Sequence, residues 1–167
     1  MDIRSSYDSA ANAYAEHLFD ELDQKPLDRH LMIRCAARLC PEVEFQTGDM
    51  KSLDLLDGSL AGIVAFYSIV HFEGSELNAV FRECRRVLHP AARLLAFHFG
   101  DDPVHVDDLL GSPVNLDFRF HRPGDVMKRL RSADLMVAES VEREPYEGVE
   151  YPSRRSYLFA TAISRSS

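Results

Sequence analysis

The chain has 167 residues, of which 46% are hydrophobic and 28% charged, a composition typical of one globular domain with a buried core. Its formal net charge of -8 argues against a nucleic-acid backbone or an anionic membrane surface as the main partner, because both repel an acidic surface. The N-terminal segment lacks the apolar core of a signal peptide, and no uncharged run reaches membrane-spanning length. An odd number of cysteines, three, fits reduced and buried thiols. The sequence therefore predicts a cytoplasmic protein.

The first part of the chain has apolar residues at the spacing of helices. Apolar residues at helical spacing predict a first helix from about Asp8 to Leu22, and Pro26 begins a second helix that Pro41 ends. Alternating apolar and polar residues from Val43 then predict a short strand that ends at Gly48.

A strand, a helix and a second strand follow, and they predict a βαβ unit with a right-handed crossover. The first strand is the nearly continuous apolar run Leu60–Val70, which follows a turn at Asp57-Gly58. The helix has Ser75 as its predicted N-cap, and His89-Pro90 stops it. The second strand is Arg93–Phe99. This helix carries three arginines, Arg82, Arg85 and Arg86, in a chain that is acidic as a whole. A solvent-exposed helix face explains them better than an anion-binding site.

The last third of the chain predicts a loop, a helix and a hairpin. The acidic segment Gly100–Pro113, with its Gly and Pro, predicts a loop with at most a short helix. Leu116–Phe120 fits a short strand or an extended lid segment, and Pro123 opens the last helix. Two strands near Leu135–Val141 and Ser156–Ile163 predict a closing antiparallel hairpin. The sequence thus indicates an α/β fold.

Candidate ligand-binding residues follow the predicted strands, where open α/β sheets bind ligands. Asp49 could accept a hydrogen bond from an exocyclic amine and Met50 could pack on a flat ring, although Asp49 could equally cap the turn after Gly48. Three residues at the end of the central strand could line the same crevice, with a core role as the alternative for the aromatic pair: Phe66, Tyr67 and Ser68.

One histidine is a candidate for acid–base chemistry, and a second set of residues contains possible metal ligands. His71 could act as a general base or as a structural hydrogen-bonding group. Four residues have the side chains of metal ligands, but their spacing matches no known site and ordinary loop composition explains them better: His98, Asp101, Asp102 and His105. We therefore expect no metal.

The order of three motifs resembles the class I S-adenosylmethionine-dependent methyltransferases. The segment VEFQTGDM from Val43 is similar to the strand and acidic turn that this family places beside adenine, and DGSLAGIVAFYSIVH from Asp57 resembles its fourth strand. RRVLHP from Arg85 resembles the family's RVLxPGG helix end, and the segment from Tyr7 to Tyr14 resembles the lid helix of its small-molecule branch.

The resemblance implies a single domain with a Rossmann-like sheet, mostly parallel, with a C-terminal antiparallel hairpin and helices on both faces. Residues 1–41 would form a helical lid, and residues 42–167 the sheet and its covering helices. S-adenosylmethionine would be the cofactor and a small molecule the acceptor. The residues that match the cofactor site are Asp49, Met50, Phe66, Tyr67, Ser68 and Tyr14, with His71 as the candidate catalytic base.

One part of the family pattern is missing. The family's first strand ends in a glycine-rich turn and its second in an acid that binds ribose, but no two of the eight glycines here lie closer than four residues apart. The helix predicted from Pro26 to Cys40 would then span the deletion of a βαβ unit. Two smaller departures are Pro90-Ala91-Ala92 in place of PGG and Ala133-Asp134 in place of Gly-Phe.

We expect the loss to weaken or abolish binding of S-adenosylmethionine. Three functions then remain open: an active small-molecule methyltransferase, a non-catalytic pseudoenzyme that serves as a binding or scaffold protein, or a truncated fragment with no separate function. Two central strands would also be lost, and an apolar sheet edge must be covered. We therefore predict a homodimer with pairing or exchange of the N-terminal helices and strand.

Overall fold

A computed structural model describes residues 48–109 and 111–163, apart from the side chain of Phe99. These residues belong to two compact units: a larger one of residues 48–102, 119–145 and 150–163, and a smaller one of residues 103–118 and 146–149. The predicted helices 8–22 and 26–40, the strand from Val43, and the candidate Tyr14 lie outside the described residues.

The larger unit contains four strands and two helices. They are, in chain order, β1 (Leu60–Phe66), α1 (Gly74–Val87), β2 (Leu88–Phe99), α2 (Pro123–Ser132), and the two strands Leu135–Arg143 and Arg155–Ala162. The smaller unit contributes β3 (Val104–Leu109) and β4 (Ser112–Phe118), so the last two strands are β5 and β6.

The sheet of the larger unit has the strand order β1-β2-β6-β5. β1 and β2 pair in parallel, with Ala65 opposite Ala96, and α1 connects them, so the predicted βαβ arrangement is confirmed. β6 runs antiparallel to both β2 and β5. The predicted closing hairpin is therefore confirmed, and the mixed sheet has the predicted α/β class.

The core of this unit lies between one face of the sheet and the two helices. Apolar residues at spacings of three and four give α1 a buried stripe, as predicted. Cys84 lies on this stripe, and burial raises the pKa of its thiol to about 12, which keeps the thiol protonated and unreactive. Fully buried members of the core are Ile69, Leu77, Val80, Phe81, Leu88, Leu94, Ala96, Leu130, Leu135 and Leu158.

The start of α1 differs from the prediction. Glu73, not Ser75, is the N-cap residue. Its carboxylate accepts from the backbone N–H of Glu76, and the Glu76 carboxylate accepts from the N–H of Glu73 at 3.0 Å. This reciprocal capping box satisfies two backbone donors and starts the helix at Gly74, which leaves Ser75 inside the first turn.

An irregularity marks the amino end of β2. Leu60 pairs with Leu88, but Gly62 already pairs with Arg93, so β2 has extra residues between the two pairs. Ala91 has φ 66°, in the left-handed region that favours glycine. Pro90 lacks a backbone N–H for the ladder, which fits a position in this irregular stretch. The predicted turn at Gly58, with φ 64°, is confirmed, and it lies close in space to His89 in this stretch.

Two other predicted boundaries were wrong. The strand predicted over Leu60–Val70 ends at Phe66, because a 3₁₀ turn follows over Ile69–His71. The segment predicted as a loop, Gly100–Pro113, contains β3 and the start of β4.

In the smaller unit, β3 and β4 form an antiparallel hairpin. Its buried residues are Val114 and Leu116, and Val106 packs against them. Gly111 has φ 79° in the connection, and its N–H donates to the carboxylate of Asp108 at 3.0 Å. Hydrogen bonding and a small apolar face together give the acidic segment its strand structure.

No helix in the described part of the chain is long and apolar enough to cross a membrane.

Candidate active site

The carboxyl end of β1 carries a cluster of packed aromatic rings. The Phe66 and Tyr67 rings lie 4.9 Å apart, and their centroids are 4.5 and 4.3 Å from the ring of Phe97 on β2. Phe97 in turn stacks on Tyr157 of β6 at 4.3 Å. Parallel pairing aligns the ends of β1 and β2, because Phe66 lies opposite Phe97. The sheet therefore builds one aromatic surface from three strands.

Tyr67 has a backbone conformation that is unusual for a residue with a side chain. Its φ is 53°, and its N–H donates to the carbonyl of Phe97 at 3.2 Å. A left-handed residue other than glycine costs on the order of 1–3 kcal/mol, and such residues cluster at functional sites. Here the turn sends the chain away from the sheet directly after the last strand residue, so Tyr67 forms the rim of the carboxyl edge.

Ser68 and His71 follow on the 3₁₀ turn. The Ser68 hydroxyl is buried without a hydrogen-bond partner. His71 is half-buried, and its backbone N–H donates to the carbonyl of Ser68 at 3.4 Å. A buried hydroxyl of this kind has unused capacity to donate and to accept a hydrogen bond.

Asp49 begins a tight turn whose Ser52 N–H donates to the Asp49 carbonyl at 2.9 Å. Its exposed carboxylate accepts from the Lys51 N–H at 2.8 Å, so the turn-capping interpretation applies. The Lys51 ammonium is 3.1 Å from the carboxylate of Glu76, which ties the turn to the first turn of α1. Met50 is half-buried and packs against the core.

His98, one residue after Phe97, is considered in the sequence analysis only as a candidate metal ligand, and its burial was not anticipated. It is fully buried, and burial, followed by the nearby His121, lowers its pKa to about 3, so the ring is neutral at pH 7. Neither ring nitrogen has a hydrogen-bond partner. Ser156, opposite it on β6, has a buried hydroxyl that also has no partner. Two unsatisfied polar groups therefore adjoin at the carboxyl end of β2.

A buried ionic group supports the aromatic surface. Arg143 donates to both carboxylate oxygens of Glu150, at 2.6 and 2.9 Å, and to the Tyr157 hydroxyl at 3.0 Å. Arg155 Nε lies 3.7 Å from the same carboxylate, whose side chain is fully buried. The fixed Tyr157 ring is the one on which Phe97 stacks.

Two of the four residues considered for a metal site have other interactions. Asp101 accepts from the Arg154 N–H at 2.8 Å, which together with lesser contacts lowers its pKa. His105 of β3 contacts Asp117 of β4 at 2.8 Å. Within residues 48–109 and 111–163, no group of three or more His, Cys, Asp or Glu is arranged to hold a metal ion.

The structure therefore brings Phe66 and Tyr67 together at the carboxyl edge, with Ser68 and His71 directly after them. It places Asp49 and Met50 on a separate turn beside α1. Phe97 and Tyr157 are fully buried, so the core positions that their apolar strand context indicated are correct; what sequence reasoning missed is the contact of Phe97 with the rings of Phe66 and Tyr67 and its stacking on Tyr157.

Comparison with known proteins identifies this architecture. The family model described as a methyltransferase domain matches residues 27–91, less than half of the chain. A crystal structure of an S-adenosylmethionine-dependent methyltransferase from Methanosarcina mazei matches with a TM-score of 0.65 at 15% identity, over 78% of this chain and 75% of that one. The predicted resemblance is confirmed. The chain has the fold of the S-adenosylmethionine-dependent methyltransferases.

Two further solved structures match the chain. A protein from Pyrococcus horikoshii matches with a TM-score of 0.54 at 18% identity, over 95% of this chain and 90% of that one. The 1,6-didemethyltoxoflavin-N1-methyltransferase of Burkholderia thailandensis matches with a TM-score of 0.59 at 15% identity. This match covers 80% of the present chain but only 56% of the Burkholderia protein, which was crystallised with 1,6-didemethyltoxoflavin and S-adenosylhomocysteine. No curated protein matches the chain by sequence.

Proposed function

We propose that this chain is a methyltransferase-like protein for a small-molecule acceptor, and that the missing glycine turn weakens its binding of S-adenosylmethionine. The observation that carries the proposal is the left-handed Tyr67 at the carboxyl end of β1. Ligands of open α/β sheets bind at this edge, and a strained residue there fits a binding role better than a packing role.

The described residues fit part of the cofactor. The unpartnered Ser68 hydroxyl suits the polar amino-acid end of S-adenosylmethionine. Aromatic faces attract cations, so the rings of Phe66 and Tyr67 suit the neighbourhood of its sulfonium. Asp49 remains exposed while it caps its own turn, and its second carboxylate oxygen could accept from the adenine amine.

When bound, S-adenosylmethionine supplies a methyl group on a positively charged sulfur. The chain's own residues would position an acceptor for in-line displacement, which supplies much of the catalysis of such a reaction. His71, half-buried just beyond Ser68, would accept a proton from an acceptor that must lose one. The small-molecule class of acceptor is supported by the lid-like sequence from Tyr7 to Tyr14 and by the small molecule bound to the Burkholderia fold relative.

A non-catalytic binding or scaffold role is the second candidate. Two observations favour it: the Asp49 carboxylate already accepts from the N–H of Lys51, and the Phe66 and Tyr67 rings already pack on Phe97. The sequence also lacks the glycine turn and the acid that binds ribose. Each charged hydrogen bond lost costs about tenfold or more in affinity.

Calorimetric titration with S-adenosylmethionine and S-adenosylhomocysteine tests the proposal. We expect weak but saturable binding that Asp49→Asn reduces, because the amide keeps the turn but loses the charge. The matched control is Asp54→Asn, an exposed aspartate a few residues further along the chain, which should bind like the wild type. No binding at millimolar ligand would overturn the cofactor proposal and leave the non-catalytic role. Equal binding by wild type and Asp49→Asn would overturn the role of Asp49.

We also propose that the chain functions in the cytoplasm as a homodimer. In the described strand order, β1 pairs with β2 on one side, and Val64 on β1 is 37% exposed. An apolar edge of this kind is a template for pairing with another chain. Sedimentation analysis at micromolar concentration should give a dimer, and a monomer would contradict the proposal.

A further inference from the structure

A basic groove lies between the two helices of the larger unit. Asn78 and Arg82 of α1 and Asp125, Lys128 and Arg129 of α2 line a cavity of about 310 Å³. A second cavity of about 490 Å³ shares Arg82 with the first, along with Ser132 and Ala133. Its lining also includes Gly58 and Leu88, near the amino ends of β1 and β2, and two carboxylates, Asp57 and Asp134, beside the three arginines of α1. The second cavity therefore lies at the edge of the sheet opposite Tyr67 and Ser68, and the first adjoins it between the helices.

The guanidinium of Arg129 is held by neutral groups. It donates to the carbonyl of Gly74 at 2.6 Å and to Oδ1 of Asn78 at 3.0 Å. Neither acceptor carries a charge. The carboxyl in the same lining, Asp125, has its pKa lowered first by Lys128 and to a lesser degree by Arg129.

Arg82 is the exposed cation that the two cavities share. No carboxylate in the described part of the chain lies within ion-pair distance of it. Lys128 pairs with Asp125 at 3.1 Å, and this carboxylate is the single acidic side chain in the lining of the smaller cavity. The lining of that cavity therefore has a local charge of +2, from three cations and one carboxylate, on a chain whose net charge is -8.

Arg85 and Arg86 differ in what they offer the second cavity. Arg86 is occupied, since its guanidinium bonds to Glu83, Asp57 and two backbone carbonyls. Arg85 donates to the carbonyl of Ile163, but its buried Nε has no hydrogen-bond partner. The helix face predicted to be solvated is therefore divided: Arg82 is exposed, Arg86 is held by structural contacts, and Arg85 is half-buried with its Nε inaccessible to a ligand in the cavity.

We propose that this groove binds a phosphate-bearing small molecule, at a site separate from the methyltransferase crevice. Guanidinium groups match the oxygens of phosphate geometrically and keep their charge, so they are the side chains best suited to such a ligand. The cavity volumes suit a phosphorylated small molecule. A nucleic acid does not fit this proposal, because the remainder of the chain is strongly acidic and would repel a polyanion.

Titration with inorganic phosphate and with pyrophosphate, followed by heteronuclear NMR at constant ionic strength, tests the proposal. We expect saturable shifts at the groove, with pyrophosphate binding more tightly because it carries more charge and more acceptor oxygens. Arg82→Gln should weaken binding about tenfold, and Arg82→Lys should weaken it less. Arg82 is exposed, so these variants should fold normally, which the thermal unfolding midpoint checks.

The matched control is Arg131→Gln, which removes the same charge from an exposed position on α2 outside the groove. It should bind pyrophosphate like the wild type. Equal losses in Arg82→Gln and Arg131→Gln would show unspecific attraction and overturn the proposal, as would the absence of saturable binding at millimolar pyrophosphate. Titration of Arg82→Gln with S-adenosylmethionine should match the wild type, so the two sites fail or succeed independently.

Discussion

Glu150 offers the sharpest test of how the aromatic surface is held. Its fully buried carboxylate contacts Arg143 at 2.6 and 2.9 Å and lies 3.7 Å from Arg155. The arginine side chains are only 12% and 2% exposed. Glu150→Gln keeps the shape of the side chain but removes the negative charge that contacts both buried arginines. Breaking a buried ion pair in this way costs about 3–5 kcal/mol.

This cost is large compared with the roughly 5–15 kcal/mol that stabilises a whole domain. With an m-value of about 2 kcal/mol/M, the urea midpoint should fall by roughly 2 M. Unfolding followed by circular dichroism measures the change, and Glu142→Gln, an exposed change on β5, is the control and should shift the midpoint little. A loss below about 1 kcal/mol for Glu150→Gln would refute the reasoning, because it would show that water or rearrangement compensates the two arginines.

Three further predictions concern stability. The pKa of Glu83 is lowered from 4.5 to about 2, chiefly by its hydrogen bonds to Arg86. The free energy of unfolding should therefore fall as the pH drops from 4.5 towards 2. Glu83→Gln should flatten this part of the pH dependence, measured by urea unfolding. The pKa of His98 is about 3 in the folded chain, below the ordinary 6.5, so the unfolded chain binds the proton first as the pH falls. The free energy of unfolding should therefore fall between pH 6.5 and 3, by up to about 1.4 kcal/mol per pH unit. His98→Leu should remove that slope and raise stability at pH 7, and a lower stability at pH 7 would indicate that the imidazole has a polar partner. Ala91→Gly should raise the thermal midpoint, because glycine relieves about 1 kcal/mol of left-handed strain, whereas a decrease would contradict the strain argument.

The elements that the sequence predicted well are those whose burial pattern is local. The stripe that begins at Leu77 determines α1, and the apolar runs of β1 and β2 flank it. β3 was missed because Asp107 and Asp108 obscure the alternation that Val104 and Val106 begin, while its pairing with β4 stabilises it as a strand. The N-cap at Glu73 was missed because Ser75 has the stronger intrinsic preference for capping, and only the reciprocal bond with Glu76 reverses the choice.

The site could be predicted only in part, because its properties come from different strands. The position of Phe66 and Tyr67 at a strand end can be read from the sequence. The left-handed φ of Tyr67 cannot, and neither can the contact with Phe97, since both depend on the pairing of β1 with β2. The burial of His98 could not be predicted for the same reason. A histidine near the end of an apolar run resembles a loop residue, and only its pairing with Ser156 on β6 and the burial of its ring show that it lies inside the sheet.

Ala91 shows how strongly tertiary structure controls this fold. It occupies a position where the methyltransferase pattern has glycine, and the backbone there keeps the positive φ that glycine would adopt without strain. An alanine tolerates this conformation only if surrounding contacts stabilise it, and the paired strands Leu60–Phe66 and Leu88–Phe99 on both sides of the irregular stretch supply them. The same contacts hold α1 against the sheet. The fold is therefore maintained against a local preference at this end of β2. Departures from the family pattern can thus leave the architecture that of the methyltransferases, and the effect that we propose for the missing glycine turn is on cofactor affinity.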